Sequence, residues 1–239
     1  METKVDEIAD GIFRLSTLDT NIPGGFTFNQ LLLDAEEPLL FHTGQRGLFP
    51  SVAEAVGTVL PLDRLRWIAF GHYEADECGS MNQWLQAAPN STVVSGGLAA
   101  AISIGDQADR APRVVDDGEV LDIGGKRLRF IATPHVPHGW EAHLAFEETT
   151  RTLLAGDLFT QGGDGPALTE DDIIESSVAA EEGFRYTAPT PLYGPTVRRI
   201  AELDPGTIAC MHGSSYRGDG GALLRALADT YEAKFVPAG

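Results

Sequence analysis

Only two cysteines, Cys78 and Cys210, occur in 239 residues. Two thiols exclude a disulfide framework and fit a reducing compartment. No apolar run approaches the roughly 20 residues that span a bilayer, so no membrane-spanning helix is expected. The opening METKVDEIADG has neither a basic n-region nor an apolar h-region, so no signal peptide is expected and a cytoplasmic protein is the default. Basic residues are scarce. Seventeen Lys and Arg face 35 Asp and Glu, a net charge of −18, which argues against nucleic acid and anionic membrane as partners. Such a charge serves solubility, and some of the acids can be clustered to hold cations. No internal repeat, low-complexity linker or GxGxxG fingerprint occurs, so residues 1–239 read as one domain.

What is present is a two-batch alternation of strands and helices. GIFRLSTLD, FTFNQLLLD and EPLLFHTG read as strands, LFPSVAEAVGTVL as a helix, and RLRWIAFGH as a buried strand ending at His72. SMNQWLQAA reads as a helix and STVVSG as a strand. GEVLDI, KRLRFIATP, HLAFEE and RTLLAGD form a second strand batch, followed by helices around the strand GTIACMHG. This pattern suits a layered α/β or α+β domain, two sheets packed face to face under helices.

Histidine is also scarce, with six in the chain. His72 and His212 end apolar runs, as does Asp157, and His135, His138 and His143 crowd into TPHVPHGWEAH. In GHYEADECGS, His72, Glu74 and Asp76 alternate, which places them on one side of an extended segment; Glu77 can join them if the chain coils there. Acids before a helix also cap its N-terminus and suit its dipole, so this loop alone supports capping and metal binding equally. The whole set decides: carboxylates and imidazoles gathered at strand ends need a cation to compensate them.

These residues resemble the metallo-β-lactamase superfamily, a four-layer αββα sandwich, and within it the diiron domain of the flavodiiron proteins. The carriers are HxExDE from His72, His138 followed 19 positions later by Asp157, and His212-Gly213. The resemblance implies one iron held by His72, Glu74 and His138, a second by Asp76 and His212, and Asp157 bridging them. Glu77 stands where the family usually has a histidine and is counted with the metal ligands. His42 stands where the superfamily usually has Asp, and is read as a supporting residue. His135 and His143 are placed in or near the pocket without a metal bond. The cysteines need no redox role, and Tyr73 and Trp140, beside the ligands in sequence, are read as packing residues, with walling of an oxygen pocket as their other role.

The function implied is that of a non-haem diiron protein that binds, senses or reduces O2 or NO. The chain runs about 27 residues past His212, so no flavin domain of its own is expected, and a separate electron donor or signalling partner is. A homodimer follows by resemblance alone. The alternative from another class is a dinuclear zinc hydrolase of esters, thioesters or lactams using a metal-bridging hydroxide.

Overall fold

Two seven-stranded sheets organise the chain, and the computed structural model describes residues 1–235 of it. The last four residues of the expected 1–239 domain lie outside that description. The first sheet is built in chain order from β1 (Thr3–Ala9), β2 (Ile12–Asp19), β3 (Phe26–Leu33), β4 (Leu39–Phe41), β5 (Trp67–Ala69), β6 (Thr92–Gly96) and β7 (Arg113–Val115). Antiparallel pairing runs from β1 to β4 and parallel pairing from β4 to β7. The parallel crossovers carry α1 (Phe49–Val59), α2 (Ala75–Cys78), α3 (Met81–Ala87), and α4 (Gly97–Ala99) joined to α5 (Gly105–Gln107) by a π-helical stretch, Ala100–Ile104.

The second sheet contains β8 (Val120–Asp122), β9 (Arg127–Ala132), β10 (His143–Glu147), β11 (Thr152–Leu154), β12 (Leu168–Thr169), β13 (Thr207–Ala209) and β14 (Ser215–Arg217), in the spatial order β12-β14-β13-β11-β10-β9-β8. Helices α6 (Ile174–Phe184), α7 (Tyr193–Ala201) and α8 (Gly220–Phe235) follow its strands.

Strand alternation sorts the apolar residues into three cores. Leu39, Phe41, Trp67 and Ala69 point between the sheets and meet Leu128, Phe130, Ala145, Leu154 and Ala209. Their neighbours Leu40 and Ile68 point the other way, onto Val52, Val56 and Trp84 of α1 and α3. Leu153 and Ile208 likewise leave the inter-sheet core for Val197, Ile200 and Leu224 of α7 and α8. Helix, sheet, sheet, helix is therefore the layer order, as the sequence implied. Every residue of β3 is buried, because both of its faces are covered.

The sheets are joined at the edge where β5, β11 and β13 end. The amide of His143 donates to the carbonyl of Gly71 at 2.8 Å, and Asn29 N–H donates to Met211 O at 2.9 Å. The β11–β13 pairing extends past both strands through Ala155 N–H to Ala209 O and Met211 N–H to Gly156 O, each at 2.9 Å. This rigid edge presents residues 72, 157 and 212.

Candidate metal centre

Residues 72–78 show how the first loop aims its acids. Glu74 is extended (φ −138°, ψ 155°) and precedes α2, yet its side chain makes no capping hydrogen bond. Its carboxylate is directed at histidines instead: Glu74 Oε2 lies 2.8 Å from His72 Nε2 and 3.0 Å from His138 Nε2. Asp157 faces both halves of the cluster. Its Oδ2 is 3.7 Å from His72 Nε2 and 3.4 Å from His138 Nε2, while its Oδ1 is 3.3 Å from His212 Nε2. Asp76 Oδ2 approaches the same His212 nitrogen at 3.4 Å. The donors of His72, Glu74, His138 and Asp157 all lie within 4.8 Å of one another.

These separations fit an ion. Nitrogen and oxygen donors held at about 2.0–2.2 Å from one metal stand roughly 3–3.5 Å apart from each other. Asp157 Oδ1 is buried and lacks a hydrogen-bond partner, as a ligand oxygen reserved for a cation would. The electrostatics agree. Glu74 is held below the usual carboxylate range by hydrogen bonding to His138 and then His72. Burial opposes charge on His72, but Glu77, Glu74 and Asp157 outweigh it and raise that ring well above its ordinary value. Burial likewise opposes charge on His212, yet Asp157 and Asp76 push it up to about 10. The cluster is short of positive charge, which a divalent cation supplies.

The remaining atoms of two histidines are also engaged. His212 Nδ1 is 2.7 Å from the carbonyl of Thr27, and its ring lies 4.2 Å from that of Phe26. The next residue, Gly213, has φ +86°, and a Cβ there would sit 2.5 Å from Gln161 Cβ, so glycine alone fits. His72 Nδ1 is 3.1 Å from Glu77 Oε1.

That contact corrects the expectation for Glu77. The chain does coil at α2, but successive helical residues point about 100° apart, so with Asp76 on the cluster Glu77 turns into the interior. It is fully buried behind the His72 ring, on the Nδ1 side, while Nε2 faces the other acids. Burial favours its neutral form, but His42 and His72 outweigh that and lower it well below the usual range. The structure thus brings together His72, Glu74, Asp76, His138, Asp157 and His212, and leaves the Glu77 carboxylate outside. Neither His135, which is exposed with φ +64°, nor His143, buried on β10, lines the opening above these residues. Tyr73 and Trp140 are 43% and 56% exposed, so they are not packing residues.

An opening of about 200 Å³ sits over the donors, walled by Ile22, Phe26, Phe184 and Tyr186 and floored by the acids and histidines. A larger cavity of about 560 Å³, reached past Tyr73 and Arg46, shares only Glu74 with the cluster and lies beside it. Three buried polar residues that the sequence reading did not single out hold the His212 loop. Arg14 donates to Gly213 O at 2.9 Å, Asn29 Nδ2 to Cys210 O and Gly213 O at 3.0 Å, and Gly213 N–H donates to Thr27 Oγ1 at 2.8 Å. The signal for Thr27 and Asn29 was there in FTFNQLLLD, where polar side chains interrupt a strand otherwise apolar enough to be buried on both faces.

A family model described as ODP family beta lactamase matches residues 26–213. Diflavin flavoprotein A 1 of Synechocystis sp. is 24% identical over 245 residues, covering 94% of this chain and 41% of the relative. The anaerobic nitric oxide reductase flavorubredoxin of Pectobacterium carotovorum is 24% identical over 221 residues, covering 87% and 44%. The chain therefore spans less than half the length of these relatives. Among solved structures, rubredoxin oxygen:oxidoreductase of Desulfovibrio gigas superposes with a TM-score of 0.82 at 18% identity, over 96% of this chain and 62% of that one. A metal-soaked flavodiiron core from Synechocystis sp. gives 0.84 at 20% identity, over 98% and 61%. At these identities the structural likeness carries the fold.

Proposed function

The chain belongs to the ODP family of beta-lactamase-fold proteins, and on that premise we propose that it holds two iron ions and uses them to bind or reduce O2 or NO. The single observation that carries this reading is the two-sided presentation of Asp157, one oxygen towards His72 and His138 and the other towards His212. In this reading His72, Glu74 and His138 would hold one iron and Asp76 and His212 the other, with Asp157 presented to both. When bound, the two irons would supply electrons and Lewis acidity to a small ligand. The protein's own groups supply the rest. Thr27 O, 2.7 Å away, meets the ring nitrogen of His212 that faces away from the cluster. Phe26, Ile22 and Phe184 give the opening an apolar wall suited to a nonpolar diatomic molecule.

Carboxylates make up half of this donor set, which favours iron over zinc. Zinc hydrolysis is the other reading. Against it, none of the described residues lining the opening is a lysine or arginine that could meet an anionic substrate, and added carboxylates make a bound water less acidic. Electrons for turnover come from a donor outside residues 1–239, a flavoprotein or a rubredoxin. A homodimer and a cytoplasmic setting complete the reading; among the described residues no helix is long and apolar enough to cross a membrane.

The test is anaerobic addition of O2 or NO to the reduced, iron-loaded protein. With an electron donor present, uptake that stops near one gas molecule per chain marks a binder or sensor, and continuous consumption marks a reductase. No gas uptake together with turnover of an ester or thioester overturns the reading.

A further inference from the structure

Glu77 is fully buried, with no lysine or arginine in contact. A carboxylate in such a place costs several kcal/mol unless its oxygens are engaged. One of them is engaged by the first loop, and the other stands close to the His72 ring. Glu77 Oε2 accepts the backbone N–H of His72 at 2.6 Å and lies 3.4 Å from His42 Nδ1, while Oε1 lies 3.1 Å from His72 Nδ1. The surroundings are shaped for it. A methyl group on Gly71 would come within 3.1 and 3.2 Å of the two carboxylate oxygens. His42 is also fully buried and takes a left-handed backbone conformation, φ +67°, with its N–H on Ala69 O at 2.8 Å. That conformation costs a non-glycine residue on the order of 1–3 kcal/mol. The carbonyl of Glu77 is held as well, accepting from Thr43 N–H at 2.6 Å and Thr43 Oγ1 at 3.0 Å. A costly arrangement has been built around a carboxylate that faces away from the candidate metal donors.

We propose that Glu77 is the positioning residue of the centre: it keeps the proton of His72 on Nδ1, turns Nε2 towards Glu74 and Asp157, and is itself held by His42. A histidine that ligates through one nitrogen gains basicity and a fixed orientation when the other donates to a carboxylate. Only one half of the centre has this support from a carboxylate, since His212 Nδ1 meets the neutral carbonyl of Thr27. The proposal rests on His72 being a metal ligand, and a test that does not use gas chemistry separates the two.

Glu77→Gln keeps the shape and removes the charge, and its amide nitrogen cannot accept the His72 N–H. We expect this variant to bind Fe(II) or Co(II) at the His72 position roughly 10–100-fold more weakly, with the His212 position much less affected. Imidazole nitrogen NMR of the metal-free protein, recorded at alkaline pH where the ring is neutral, should show the Nδ1–H form of His72 in the native protein and its loss in Glu77→Gln. Should Glu77→Gln fail to fold, the His42 pair decides: His42→Gln, which retains a donor to Glu77, should keep affinity within a few-fold, and His42→Leu should lose it. Native affinity and an unchanged His72 tautomer in a folded Glu77→Gln, or equal affinities in both His42 variants, overturn the proposal. A native protein that takes up neither metal sinks the metal-centre reading instead.

Discussion

Asp157 reaches both halves of the cluster through two oxygens of one carboxylate, so its loss should be felt twice. Asp157→Ala is expected to drop metal content below one ion per chain, whereas His138→Ala should leave the Asp76–His212 half able to load; elemental analysis of the two purified variants checks this. His143 offers a test away from the donors. Burial pushes its ring down to about 4, against weaker upward pulls from Glu77 and the Glu141 carbonyl. Buried on β10, the ring stays neutral in the native protein at pH 7. Unfolded histidine takes up a proton near pH 6.5. The group's contribution is therefore present above pH 6.5 and is lost as pH falls towards 4, on the order of 3 kcal/mol in all. Replacing His143 with Leu should flatten the stability profile across that window, measured by urea unfolding at pH 7 and pH 4.5. At this scale the sequence was informative for residues closing apolar runs, because strand ends fix where a side chain emerges. It misjudged Glu77 because a one-residue shift in where α2 begins swings a side chain by about 100°, and no propensity specifies that start.

The elements that matter most are the strands under the His212 loop. Arg14 on β2 and Asn29 on β3 reach across from one sheet to carbonyls in a loop of the other. Replacing Asn29 with Leu removes the donor from Cys210 O and leaves Gly213 O to Arg14 alone, and should cost roughly 1–3 kcal/mol. Urea unfolding measures that cost, and the second metal should bind more weakly in the same variant. Strands rich in β-branched and large apolar residues, such as those at 26–33 and 127–132, were legible as strands. β1 was not: TKVDEIA alternates only weakly, and its identity comes from pairing with β2 along its length. β14 and β12, three and two residues long, were missed for the same reason, since such short segments are made by their neighbours. The turns of helix at 97–107 were also unforeseen, in a stretch containing two glycines.

At the scale of the molecule, the ligand loops come from both sheets: His72 follows β5 of the first, and His138, Asp157 and His212 follow strands of the second. A metal pair there would tie the layers together across their edge. Ions that bind only the folded chain add stability as RT ln(1 + [L]/Kd). Stripping them with a chelator should therefore lower the melting temperature by several degrees, and the drop should shrink in Asp157→Ala, which has little metal to lose. The layer order was legible because two batches of strands, each followed by helices, admit few other packings. The opening above the donors was not, because its walls come from Ile22, Phe26, Phe184 and Tyr186, residues distant in sequence that only the packed layers bring together.

The central claim, a pair of irons held by six side chains, is tested most directly by counting metals. Protein purified from cells supplied with both iron and zinc would be assayed by elemental mass spectrometry, in parallel with Asp157→Ala. The account predicts close to two irons per native chain and a clear loss in the variant. Two zincs per chain in the presence of ample iron, or iron content indifferent to Asp157, would contradict it.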